Sequence, residues 1–388
     1  MFVGITNEAR DYAWGEPGAI SRLFGRPATT TPEAELWLGA HHGSPSRLLD
    51  AEEGTDLAEW IARDPEAHLG KRHAGRLPFL LKVLAAGGPL SLQAHPTTEQ
   101  AEAGFARENA AGIPVDAPDR SYKDPHAKPE LILAISDRFD ALCGFRPAAE
   151  TRAVLERMLE LAHEHPEEQP AVTRLLDRLT DDTTIKATFA WLISKATGVD
   201  EVLAAVTHLS QRHSDEFPVQ AELAKLYPGD PGIAISLLLH TVTLSRGEAL
   251  YLPAGNIHAY LHGVGIELME ASDNVLRGGL TPKHVDVAEL LSVLDFTPRP
   301  APHLVPEVPV PDVRIFRPDD AAFELIEFEG DGPCPLDGPA IALCVSGTFT
   351  ITGRSTVTLS LGDAVYVTPD EGDLTVTGTG QLVVATTV

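Results

Sequence analysis

The segment GEALYLPAGNIHAYL, Gly247 to Leu261, sets a histidine where the chain re-enters a strand after a tight turn. Pro253 fixes the turn, and Gly255 permits a backbone conformation that other residues resist. His258 then opens the following strand. Gln93 and His95, in GGPLSLQAHP, are two apart, so an extended backbone puts both on one face. Glu130, in KDPHAKPELILAIS, opens a strand-like run and offers a carboxylate. Two imidazole nitrogens, one amide oxygen and one carboxylate oxygen suit Zn2+, with room for water or substrate oxygens. Mn2+, Fe2+ and Co2+ accept the same donors. Taken singly, each residue has a plainer role. A histidine near a turn is commonly structural, a loop glutamine commonly bonds backbone, and Glu130 after Pro129 can simply begin a surface strand.

The elements that must position these donors are legible from texture. Short apolar runs broken by Gly and Pro fill the first 150 residues, for example Leu77 to Ala86 and Pro129 to Ser136. A helix is expected over Asp56 to Arg63 with Thr55 as its N-cap. From Ala148 to about Tyr227 the chain turns rich in Ala, Leu, Glu and Arg. Val154, Leu155, Met158, Leu159 and Leu161 form one apolar stripe at helical spacing, and similar stripes recur to Leu209. Strand patterning returns at PGIAISLLLHTVTL, followed by a helical piece at His284 to Phe296 and a proline-rich arm, TPRPAPHLVPEVPVP. From about Asp312 the pattern alternates strongly, as an antiparallel sandwich or barrel would. The expected division is 1–147 and 228–300 as two parts of one catalytic domain, 148–227 as an inserted helical domain, and 301–388 as a C-terminal β domain.

Composition narrows the function classes. The formal net charge over 388 residues is -26, which repels nucleic acid and anionic membranes but leaves room for a small anion held by a local cation cluster. Three cysteines make no paired framework, no stretch reads as a membrane span, and the N-terminal residues do not read as a signal peptide. A cytoplasmic, monomeric protein is expected, with no nucleic-acid or membrane partner.

The Gly247–His258 spacing matches the second motif of the cupin family without a gap. More specifically, the chain resembles the type I mannose-6-phosphate isomerases. The resemblance rests on YAWG (Tyr12 to Gly15), AELWLG (Ala34 to Gly39), LPFLLKVLAAGGPLSLQAHP (Leu77 to Pro96), YKDPHAKPE (Tyr122 to Glu130) and PAGNIHAYLHGVGIELMEASDNVLRGGLTPKHVDV (Pro253 to Val287). It implies a mainly β fold: cupin double-stranded jelly-roll barrels, an inserted all-α domain and a metal-free C-terminal cupin-like domain. It also implies one Zn2+ per chain, held by Gln93, His95, Glu130 and His258. One departure is plain. The family usually carries an Asn-His pair before Lys-Pro-Glu, where this chain has His126-Ala127.

The implied substrate is a sugar phosphate, with mannose 6-phosphate and fructose 6-phosphate interconverted through an enediol. Such chemistry needs a base at C1 and C2, an electrophile on their oxygens and a seat for phosphate. Arg277, a rigid fork that never loses its charge, is a candidate for the oxygens or the phosphate. Glu267, Asp273 and Lys128 are candidates for proton transfer. Glu267 follows His258 by nine residues across an expected turn, so spacing leaves its face open. Lys82 either snorkels from an apolar strand or faces the cavity. Ser91 and Lys283 are further phosphate candidates, and Trp14 either caps the pocket or packs in the core. A cupin oxygenase and a non-catalytic sugar-phosphate-binding cupin are the rival readings.

Overall fold

A computed structural model describes residues 1–49, 55–73 and 75–388. Among these residues the strands assemble into two ten-stranded antiparallel sheets. One long strand, His258–Glu270, organises the first sheet. Near its start it pairs with Phe139–Phe145, and His258 lies opposite Gln93. Along its second half it pairs with Phe79–Ala86 on one edge and Glu130–Ala134 on the other.

That strand changes partners because it bulges. The register slips between Tyr260 and His262, and Gly263 follows at φ 118. A Cβ on Gly263 would sit 2.7 Å from the Arg138 carbonyl oxygen, so only glycine fits. A one-residue slip reverses the parity of every later side chain. Tyr260, Glu267 and Met269 therefore face one pocket, while Ile266 and Leu268 enter the apolar core. The turn expected between His258 and Glu267 is absent: the segment is one continuous strand, and the bulge settles the face that spacing left open.

Helices at Ala148–Leu161, Gln169–Arg178, Ile185–Ile193, Val199–Arg212 and Pro218–Leu226 follow the expected stripes. Their buried residues join a core that continues into Leu92, Ala94 and Leu276 of the first sheet, so the helical layer backs the strands that carry Gln93 and Arg277. The helix expected from Asp56 runs over Leu57–Arg63, and its cap is Asp56, not Thr55. The Asp56 carboxylate accepts the Glu59 N–H at 2.8 Å, three residues on, which the position of Thr55 does not allow.

The second sheet is built mostly from residues after 306, but Phe2–Thr6 pairs with Ala364–Val367 inside it. Ile5, Leu81, Leu131, Ile266, Phe323, Ile341 and Tyr366 belong to one apolar layer that draws on both sheets. The proline-rich arm gives each sheet a short edge strand: His303–Leu304 pairs with Ala249–Leu252, and Glu307–Val310 with Val313–Phe316. No helix among the described residues is long and apolar enough to cross a membrane.

The helix Thr98–Ala110 starts with a reciprocal capping box between Thr97 and Gln100. Its Gly104 lies directly against the Tyr122 ring, which leads into the segment carrying Lys128 and Glu130. A methyl group there would overlap that ring. Gly104→Ala should therefore cost about 1–3 kcal/mol through overpacking, and thermal unfolding should show a lowered Tm.

Candidate metal centre and active site

Strand register brings the candidates into two rows. In one, Arg277 lies opposite Gln93, Gln93 opposite His258, and His258 opposite Cys143. In the other, Trp37 lies opposite Lys82, Lys82 opposite Glu267, and Glu267 opposite Ile132. Glu130 sits opposite Met269, one row further along. Residues from six strands thus converge on one pocket of about 550 Å3. Trp14, Lys82, Ser91, Gln93, Lys128, Glu130, Glu267, Asp273, Arg277 and Lys283 all line it. His95 and His258 do not, but both touch Glu130.

The His95, Glu130 and His258 side chains are 1% exposed and form a single cluster. His95 Nδ1–H donates to the Asn274 carbonyl at 2.7 Å, and His258 Nδ1–H donates to the Asn256 carbonyl at 3.1 Å. In the neutral ring that leaves a lone pair on each Nε2. His95 Nε2 stands 3.2 Å from Glu130 Oε1, and His258 Nε2 stands 3.1 Å from Glu130 Oε2. Lone pairs thus face carboxylate oxygens on both sides. His95 Nε2 is buried and has no hydrogen-bond partner among the described residues. Burial lowers His95 to about 4, which keeps the ring neutral. Burial would raise the Glu130 carboxyl, but the Lys128 ammonium, at 2.7 Å, holds it well below the usual range. Neutral nitrogens and an ionised carboxylate aimed at one point are what a divalent cation requires.

Beside this centre lies a charged buried row. Lys82 Nζ is 2.7 Å from Glu267 and 3.6 Å from Glu35, and stands over the Trp37 ring at 5.1 Å. The lysine therefore faces the cavity, and its charge is balanced there instead of snorkelling outward. Burial would lower its pKa, yet Glu267, Glu35 and Glu130 raise it, so the ammonium persists. Burial raises the Glu267 carboxyl, with Lys82 opposing. Arg277, Lys123 and Lys283 line the same pocket and have no ion-pair partner among the described residues. Burial lowers both Arg277 and Lys283, the latter also through repulsion from Arg277 and Lys123.

Several contributors escaped sequence reasoning. Glu35 and Trp37 alternate on the strand Glu35–Leu38, and that period-two signal in AELWLG was available. Trp37 Nε1–H donates to Glu35 at 2.8 Å, which holds that carboxylate toward Lys82. Lys123 and His41 left no such signal, because both lie in loops. Asn274, fully buried, is a node: its side chain accepts the Lys123 and Asp124 N–H groups and donates to the Asp124 and His126 carbonyls. Its own carbonyl holds His95.

Residues 2–148 match the family described as phosphomannose isomerase type I, catalytic domain. The mannose-6-phosphate isomerase of Escherichia coli is 37% identical over 390 residues, covering 97% of both chains. The chain belongs to the type I phosphomannose isomerase family. The human mannose-6-phosphate isomerase is 32% identical over 407 residues, covering 93% of this chain and 92% of its own. A zinc-bound mannose 6-phosphate isomerase crystal structure superposes with a TM-score of 0.88 at 34% identity, covering 100% of this chain and 99% of that one.

Asn274 fixes the loop whose carbonyl orients His95. Asn274→Ala should weaken retention of a divalent cation about 10–100-fold, read as Zn2+ kept during titration with a competing chelator. Unchanged retention would remove Asn274 from the support of the metal centre.

Proposed function

We infer that the protein is a Zn2+-dependent aldose–ketose isomerase that interconverts mannose 6-phosphate and fructose 6-phosphate. The observation that carries this reading is the buried His95–Glu130–His258 cluster, with its lone pairs facing a carboxylate, at the wall of a cation-rich pocket. We assign Gln93 as the fourth ligand, since it adjoins His258 in the strand register. The bound cation supplies positive charge for the negative charge that develops on the sugar's adjacent oxygens.

The remaining work belongs to side chains. Glu267 takes the C2 proton; the C–H electron pair becomes the C1–C2 double bond, and the carbonyl oxygen on C1 gains a proton. The cis-enediol then loses its O2 proton, the C2 carbonyl forms, and C1 receives a proton. A carboxylate in a dry pocket, with its pKa raised by burial, suits this exchange. Lys82 keeps Glu267 oriented and partly compensates its charge, and Lys128 does the same for Glu130. Arg277 donates to the enediol oxygens. The phosphate is held by Lys123 and Lys283, with Ser91 at the same pocket, since Lys82 already balances two carboxylates. Trp14 shields the mouth. Asp273 stays ionised and accepts hydrogen bonds from sugar hydroxyls.

The same reading extends to architecture. The first sheet is taken as a cupin double-stranded jelly roll with helices inserted at 148–227. The segment 301–388 is taken as a cupin-like domain without a metal, because no histidine follows the Gly362-Asp363 turn.

The deciding experiment is a coupled assay of mannose 6-phosphate isomerisation on protein of measured metal content. Chelation should abolish turnover and Zn2+ should restore it; full turnover by metal-free protein would overturn the mechanism. Separately, Glu267→Gln should lower kcat by about 10²-fold or more with a smaller change in KM. It should also abolish exchange of the C2 hydrogen with solvent deuterium. Retained exchange would move the base elsewhere.

A further inference from the structure

A second cluster of titratable groups stands on the same pocket. His41 Nε2 lies 3.4 Å from Asp273 Oδ1, and His42 Nε2 lies 3.3 Å from Asp273 Oδ2. The geometry is that of a metal site, but its hydrogen bonding argues against one. The Gly43 N–H donates to His41 Nδ1 at 3.1 Å. A neutral His41 therefore carries its proton on Nε2, where it donates toward Asp273 and has no lone pair for a cation. The ring is well fixed: it is 7% exposed, meets the Trp37 ring edge-on at 5.0 Å and stacks on His42 at 4.6 Å. His42 is exposed, so His41 is the constrained partner. From the other side, the Asp273 N–H donates to Asp124 at 2.8 Å, which fixes the backbone without touching the side-chain carboxylate.

We propose that His41 is a positioning residue for the Asp273 carboxylate, aiming it into the pocket toward the sugar hydroxyls. The inference rests on the substrate pocket assigned above. The groups facing Asp273 are His41, His42 and Lys123, with Asp124 behind its backbone and Arg277 and Lys283 on the same pocket. Burial would raise the Asp273 carboxyl, whereas the His41 hydrogen bond, both imidazoles and Lys123 bring it to about 2. Removing His41 leaves burial in place and takes away the strongest opposing contact. The carboxyl then protonates at higher pH.

The test compares His41→Ala, His41→Gln, Asp273→Asn and the double variant His41→Ala/Asp273→Asn, all loaded with Zn2+ and assayed with mannose 6-phosphate across pH. His41→Ala should lower kcat/KM about tenfold, through KM more than kcat, because Asp273 orients bound sugar hydroxyls. His41→Gln retains an N–H donor near the Nε2 position and should recover most of the loss. In the Asp273→Asn background, removing His41 should cost nothing further, because the pair acts as a unit. An unchanged kcat/KM in His41→Ala, or no recovery in His41→Gln, would overturn the proposal. So would an equal loss in both backgrounds, or a fully active Asp273→Asn. An inactive wild type would instead overturn the substrate assignment and this inference with it.

Discussion

Everything in the active pocket depends on one electrostatic conflict. Glu130 presents both oxygens to imidazole nitrogens whose protons are committed elsewhere, on carbonyls of Asn274 and Asn256. Three buried acceptors cannot sit that close for packing reasons, because apolar neighbours offer nothing to offset the repulsion. A cation resolves the conflict, and the groups around it follow. Lys128 lowers the Glu130 carboxyl, the Asn274 loop sets the His95 tautomer, and the second charged row at Lys82 and Glu267 takes its Coulomb field partly from Glu130.

Those two centres are joined by a single strand. His258–Glu270 carries His258, in contact with the pocket-lining Glu130, at its start and the pocket-lining Glu267 near its end, with the bulge before Gly263 between them. Without the slip, Glu267 would point into the apolar layer that Ile266 and Leu268 now fill. The helical layer contributes indirectly, by packing behind Leu92, Ala94 and Leu276 so that Gln93 and Arg277 cannot drift. The loops from Tyr122 to Lys128 and from Ala271 to Asn274 are tied through Asp124 and Asn274, so mobile-looking connections have fixed positions.

Much of this was legible in the residues. Period-two spacing put Lys128 with Glu130, and the 3.6-residue stripes gave the helices from Ala148 onward. What spacing could not supply was whatever depends on backbone irregularity or on chain-distant pairing. The face of Glu267 required knowing of a bulge. The roles of Glu35 and Trp37 required the register that sets Trp37 beside Lys82. His41 and Lys123 lie in loops, where no periodicity constrains direction. The departure at His126-Ala127 from the family pattern leaves His126 with its N–H on Asp124 and its carbonyl on Asn274 and Ser272, so the segment stays anchored by backbone.

The strand Phe2–Thr6 has a consequence for how the polypeptide is made. It completes a sheet whose other members come almost entirely from the far end of the chain, with Phe2 opposite Val367. A nascent chain leaving the ribosome therefore cannot close that sheet unit by unit. Its leading segment finds one early partner, Arg47–Leu48, but its other edge stays open until Ala364–Val367 has been made. Such long-range closure is slow and exposes strand edges to wrong partners.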